Sequence, residues 1–289
     1  MKILIAYDGS SCGDAALDDL LRAGLPEVAE VLVLSVADVW LDNYAGKDIL
    51  GMVTSSIVKS KKDETHELAQ GAADRLRKEH PGWEIVAIED TGSPAGKILE
   101  HADEFNPDLI VAGSHGFSTL KRALLGSVSQ RVVTEAHCSV RVARGRIDED
   151  QPPMRIVIGV DGSPDSDLAV ERVASRKWLP DSMVHLITSI GVDLEAQSSS
   201  DMKEYFVSIE QMQHKYSARL LESGLRVTTH ISFEDPRHAI IHEAEKWGAD
   251  SIFIGSRGLG KIGRMLQGSV SAAVTSRAHC SVEVVRPSS

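Results

Sequence analysis

The sequence predicts an α/β fold made of two tandem Rossmann-like domains, and three observations carry that prediction. Short apolar runs alternate with stretches of helical spacing through the whole chain, which is the pattern of βαβ units on a parallel sheet. The order of elements is then repeated. Finally, Gly113-Ser-His-Gly116, nine residues and Gly126-Ser127 recur 142 residues later as Gly255-Ser-Arg-Gly258, nine residues and Gly268-Ser269. Around these glycines nearly half of the positions in 109–143 and 251–285 are identical, including Ala-His-Cys-Ser-Val at 136–140 and 278–282.

The first repeat opens on an apolar strand, Ile3–Tyr7, which runs into Asp8-Gly-Ser10. Ala15, Ala16, Leu17, Leu20 and Leu21 then share one helical face, predicting a helix over Asp14–Ala23. Val31–Val36 is almost wholly apolar, as a strand buried on both faces must be. A long helix follows near Thr54–Lys78, and Glu84–Glu89 reads as the third strand. Pro94 suits the first turn of a helix over Ala95–Glu104. Asp108–Ala112 is the fourth strand, Ser127–Glu135 a helix and Ser139–Ala143 the fifth strand.

The second repeat retraces this order. Strands are expected at Arg155–Val160, Met183–Ser189, Arg226–Ile231, Asp250–Ile254 and Ser281–Val285. Helices are expected at Asp165–Ala174, Asp201–Ser223, Pro236–Trp247 and Ser269–Ser276. The charged, proline-bearing stretch Gly145–Pro153 marks a linker, placing the domains at about 1–145 and 155–289 with 146–154 between them.

Composition bounds the function. A formal charge of −11 argues against nucleic-acid and anionic-membrane partners, which need a basic surface. No apolar segment is long enough for a membrane span, and the opening run is too short for a signal-peptide core, so a cytoplasmic protein is expected. Cys12, Cys138 and Cys280 supply neither a disulfide framework nor a close metal-ligand pair, so no metal site is assigned.

In an open parallel sheet ligands gather outside the carboxyl ends of the strands. Asp8-Gly-Ser10, Gly92-Ser-Pro94 and the Gly113–Ser127 segment all fall there, as do their counterparts. Glycines let backbone approach a ligand, and Gly126-Ser-Val-Ser129 enters a helix whose first N–H groups favour an anion. Ser127 and Ser129 would add hydroxyl donors. Asp8 and Asp161 either organise a turn and cap or accept hydrogen bonds from a sugar or base. Arg122 and Arg264 pair with phosphate or face solvent, solvent being preferred. Replacement of His115 by Arg257 argues against a catalytic imidazole, and His137 and His279 read as structural. Neither the Walker A pattern nor Gly-x-Gly-x-x-Gly is present, so this is a different phosphate loop.

With these residues assembled, the chain resembles the universal stress protein family in its tandem form, and in its ATP-binding branch through the doubled Gly-2x-Gly-9x-Gly-Ser motif. The resemblance implies an adenine nucleotide alpha hydrolase-like domain, twice, with a five-stranded parallel sheet of order 3-2-1-4-5 and ATP, with Mg, at the strand ends. It implies adenosine contacts at Ala6, Tyr7, Asp8 and Val36, and phosphate contacts at Gly113, Gly116, Gly126, Ser127, Val128 and Ser129. The second site would use Gly159, Val160, Asp161, Ser189, Gly255, Gly258, Gly268, Ser269, Val270 and Ser271. It also implies that the fifth strands join the repeats into a pseudo-dimer, with a homodimer as a further assembly. Serine replaces the family's proline in both Cys-Ser-Val closing strands. Glu234 stands where Gly92 stands in the first repeat, and Glu234-Asp235 would either repel phosphate or help hold a metal ion. The implied role is nucleotide-dependent stress response or regulation, with no catalytic residue assigned. The alternatives are a slow ATP-hydrolysing enzyme and an ATP-independent interaction module.

Overall fold

In a computed structural model, residues 1–38, 49–115, 125–144, 152–191, 199–258 and 268–287 are described. The first repeat runs β1 (Lys2–Ala6), α1 (Ser11–Leu20), β2 (Ala29–Ala37), α2 (Ile49–Glu79), β3 (Trp83–Thr91), α3 (Pro94–Phe105), β4 (Leu109–Gly113), α4 (Ser127–Glu135) and β5 (Ser139–Ala143). The second runs β6 (Arg155–Gly159), α5 (Pro164–Ala174), β7 (Met183–Ser189), α6 (Ser199–Glu222), β8 (Arg226–Ser232), α7 (Pro236–Trp247), β9 (Ser251–Gly255), α8 (Ser269–Arg277) and β10 (Ser281–Val285).

Among the described residues these strands form one sheet of order β3-β2-β1-β4-β5-β10-β9-β6-β7-β8. Each half is therefore a parallel 3-2-1-4-5 sheet. The halves meet where β5 and β10 pair antiparallel, with Val142, Arg141 and Val140 opposite Val282, Glu283 and Val284.

Alternation along β5 and β10 decides what lies on each face. Val140, Val142, Val282 and Val284 point into a single apolar core that runs under both repeats and is roofed by α3, α4, α7 and α8. The opposite face carries two separate cores. One packs α1 and α2 on β1, β2 and β4, and the other packs α5 and α6 on β6, β7 and β9. A fully buried aliphatic side chain contributes roughly 1.5–3 kcal/mol, so the continuous core strongly couples the halves.

Arginines complete the seam. Arg144 donates to the carbonyls of Cys280 and Thr275, and Arg286 donates to those of Cys138 and Val133. Each guanidinium thus reaches the last turn of the other repeat's helix, where a cation opposes the negative dipole end.

Several boundaries differ from the sequence reading, for local reasons. Helix α1 starts at Ser11 because Ser10 caps it, its hydroxyl accepting from the Gly13 N–H at 3.1 Å. Strands β2 and β3 extend together from Ala29↔Trp83 to Ala37↔Thr91, since pairing rather than side-chain polarity sets their length.

Candidate functional site

The turn after β1 is built by Asp8. Its Oδ1 accepts from the Ser10 N–H at 3.0 Å and from the Ser10 hydroxyl at 2.6 Å. Asp161 makes the matching bond to the Ser163 N–H at 3.0 Å. Gly9 and Gly162 sit between these pairs at φ of 75° and 81°, a left-handed conformation that glycine adopts without a Cβ penalty. Both aspartates thus organise their turns. Asp161 also faces the glycine loop: a Cβ added to Gly258 would lie 2.5 Å from its Oδ2.

The glycines at the end of β4 and β9 have a second employer. A Cβ on Gly113 would fall 2.6 Å from the Cys12 carbonyl oxygen, and one on Gly255 would fall 2.7 Å from the Asp165 Cβ. Glycine is needed there so that the first turn of α1 or α5 can lie against the strand end.

The far end of each loop is tied back to the strand. Gly126 N donates to Ser114 O at 2.8 Å, and Gly268 N donates to Ser256 O at 2.9 Å. Ser129 Oγ donates to Gly113 O at 2.6 Å, while Ser271 Oγ reaches Ser256 O at 3.0 Å and Gly268 O at 2.9 Å. A hydroxyl has one proton to give. Both buried serines spend their protons holding the loop closed. Ser127 and Ser269 are exposed at the mouth. Gly126 and Gly268 provide no side-chain cap for α4 and α8, so the first-turn amides face outward uncapped by a side chain.

In the second repeat these parts surround a cavity of about 680 Å³, within the range of small-molecule sites. Gly159, Val160, Asp161, Ser189, Gly255, Gly258, Gly268, Ser269, Val270 and Ser271 all line it. Ile187, Ile240 and Ile254 close its apolar end, and Arg257 stands beside the glycine loop. The outer wall is one face of α6, formed by Tyr205, Ile209, Met212 and Tyr216. The sequence reading missed that wall, although the residues fall at helical spacing.

In the first repeat Ala6, Tyr7 and Asp8 follow one another at the end of β1, with Val36 near the end of the adjoining β2. Gly113 ends β4, and Gly126, Ser127, Val128 and Ser129 form the cap and first turn of α4. Gly116, Arg122 and Arg264 lie outside the described residues. The Tyr7 hydroxyl donates to Asp14 Oδ1 at 2.7 Å, and burial together with Asp14 pushes its pKa up to about 12.

The family model for the universal stress protein family matches residues 1–144 and again 153–286. The chain belongs to the universal stress protein family. A universal stress protein of Mycolicibacterium smegmatis is 25% identical over 298 residues, covering 99% of this chain and 97% of that protein. One from Methanocaldococcus jannaschii is 33% identical over 147 residues, covering 50% of this chain and 81% of its own length. The crystal structure of a universal stress protein from Archaeoglobus fulgidus superposes with a TM-score of 0.68 at 24% identity, covering 99% of this chain and 98% of the other.

Within this family frame the two repeats differ most at the back of the glycine loop. In the second, Asp165 holds Arg257 through its backbone N–H at 3.0 Å and its Nε at 3.2 Å, and accepts from Ser256 Oγ at 2.6 Å. Cys12, Ser114 and His115 occupy the matching positions of the first repeat. There His115 Nδ1 lies 3.1 Å from Ser114 Oγ, and burial lowers the imidazole's pKa.

The Glu234-Asp235 pair is also resolved. Asp235 caps α7, accepting from the Arg237 N–H at 2.9 Å and from its guanidinium at 2.8 and 2.7 Å. That guanidinium holds the carboxylate's pKa at about 2. Glu234 Oε1 lies 3.4 Å from His242 Nδ1. Neither acid lines the cavity, whereas the following Pro236 does. Among the described residues no group of three or more His, Cys, Asp or Glu side chains is placed to hold a metal ion. No described helix is long and apolar enough to cross a membrane.

Proposed function

We propose that this universal stress protein binds ATP, the nucleotide acting as ligand or regulatory switch rather than as substrate of rapid turnover. The observation that carries the reading is the cavity of the second repeat, whose lining combines apolar side chains with the glycine loop and the first turn of α8. Val160, Ile187, Ile240 and Ile254 offer the slot a purine needs, against β6, β7 and β9. The first turn of α8 and Gly258 offer backbone amides, which suit a polyphosphate, with the Arg257 guanidinium held beside them on Asp165. Asp161 lines the same cavity beside Gly258, and its carboxylate suits the hydroxyls of a ribose. The residues therefore fit the nucleotide.

Magnesium enters this reading as the companion of the triphosphate. Mg²⁺ keeps most of its water and binds chiefly through phosphate oxygens, and a protein cage is not required of the chain.

The test is mass spectrometry of ligand extracted from purified protein, followed by calorimetric titration of ATP onto stripped protein. ATP recovered or bound in a fixed ratio to chain is expected. Protein free of nucleotide and silent on titration overturns the reading. Multiple-turnover phosphate release at an ordinary enzymatic rate, on the order of 1–10³ per second, would favour the enzyme alternative.

A further inference from the structure

Arg141 and Glu283 occupy the same position of the two repeats, 142 residues apart, and they lie directly opposite each other in the β5–β10 ladder. The pairs on either side, Val140 with Val284 and Val142 with Val282, show that the pseudo-two-fold axis passes between them. A residue on such an axis meets its own equivalent. Two first repeats joined symmetrically through β5 would therefore bury Arg141 against Arg141. Two second repeats joined through β10 would bury Glu283 against Glu283. In this chain the position meets its opposite charge.

Both side chains are fully buried. Arg141 Nη1 lies 3.4 Å from Glu283 Oε2, and its other nitrogens reach Asp19 at 2.5 and 2.9 Å. Arg176 Nη2 donates to Glu283 Oε1 at 2.6 Å. The four groups alternate in sign and sum to zero. Asp19 of α1 is matched in sequence by Arg172 of α5, while Arg176, one turn farther on, is the residue that holds Glu283.

The arginine and serine contacts flanking the axis have the opposite character, because they repeat, whereas farther out Arg22 with Asp250 and Lys177 with Glu27 join the halves once only. Arg144 and Arg286 are equivalent positions making equivalent bonds to the other half. Ser281 Oγ accepts from the Arg144 N–H at 2.9 Å, as Ser139 Oγ accepts from the Arg286 N–H at 3.1 Å. The four valines beneath are symmetric as well. All of these contacts would serve a pairing of like repeats as readily as one of unlike repeats. Of the contacts at the two strands themselves, the charged group on the axis is what tells the two apart.

We propose that the buried Arg141–Glu283 pair selects the partner of each fifth strand. It makes the β5 face complementary to a β10 face and incompatible with a second β5 face, so the chain closes on its own second half. Net stability is a poor reason to bury such a pair, since an apolar replacement often does as well. Discrimination against a wrong partner is a good one, because an unpaired buried charge is severely penalised.

Full-length R141E and E283R test this. R141E places three acids together, and E283R places three guanidiniums together, so neither variant should close on itself as the wild type does. Refolded together in equal amounts, they should form a 1:1 dimer, read by light scattering and native mass spectrometry. In one of that dimer's two seams Arg141 of one chain meets Glu283 of the other with all of its native neighbours, and in the other seam the two substituted residues meet. Rescue on mixing supports the proposal even if the single variants do not fold alone. A mixture that only sums the separate variants overturns it, as does an R141E protein that keeps the wild-type mass and melting temperature.

Discussion

Gly268→Val separates binding from folding in the second repeat. Residue 268 has φ −63° and ψ 149°, which valine adopts without strain. Its new Cβ would lie 3.1 Å from the Ser256 carbonyl oxygen and 3.6 Å from Ser271 Oγ, so the strand end must give slightly. Loss of a favourable cap costs about 1 kcal/mol, and a contact of this tightness adds roughly 1 more. At about 2–4 °C per kcal/mol for a domain of this size, the melting temperature falls by several degrees and the protein stays folded. The consequence for binding is larger. The valine methyls would occupy the mouth of the cavity that Gly268 lines, keeping an anion from the first-turn amides of α8. Hydrogen bonds to a charged acceptor are worth about 1.5–3 kcal/mol each, so two lost bonds weaken ATP by roughly 10²- to 10⁴-fold. Calorimetric titration of the variant should therefore show the second site missing, with circular dichroism unchanged. Unaltered affinity and stoichiometry in a folded Gly268→Val protein would refute the placement of the phosphates.

Two further outcomes follow from buried groups. Burial pushes the Cys138 and Cys280 thiols up to about 11 and about 12, so iodoacetamide at pH 8 should label half-exposed Cys12 and reach the other two only on unfolding; mass mapping of native labelling reads this directly. Burial also lowers the pKa of His185, against Glu243, which favours its cation, and His230 and Lys246, which oppose it. The unfolded chain then takes its proton first as pH falls, so this contribution to stability is complete above about pH 6.5 and is lost as pH drops through the lower folded value. Denaturant midpoints should decline from pH 7.5 to 5, and His185→Gln should flatten the decline; an equal slope in the variant would exclude His185 as a source.

The fold was legible because its signals are local. Val31–Val36 and Ser139–Ala143 announce buried strands within a few residues, and Ser163-Pro164 announces a helix start. The site was legible only where its parts are contiguous, as in Gly126–Ser129. The packing demand on Gly113 was not legible, because the Cys12 carbonyl that crowds it lies a hundred residues away in sequence. Ser129 looked like a donor because its acceptor, the Gly113 carbonyl, belongs to the other end of the same loop. The α6 wall of Tyr205, Ile209, Met212 and Tyr216 was hidden for another reason: helical spacing says that a face is apolar, not whether protein or cavity covers it. Arg141 gave least warning of all, being a single charge in an apolar strand whose partner is 142 residues away.

The antiparallel seam also fixes where the protein can be read from outside. Since β5 and β10 run in opposite directions, the carboxyl ends of the strands in one repeat point away from those in the other. The cavity at Ser269 and the start of α4 at Ser127 consequently face opposite flanks of the sheet. A partner seated over one flank leaves the other uncovered, and a message from one to the other has to cross the shared sheet rather than pass through solvent. The protein is thereby a two-sided body whose flanks can be occupied and inspected separately.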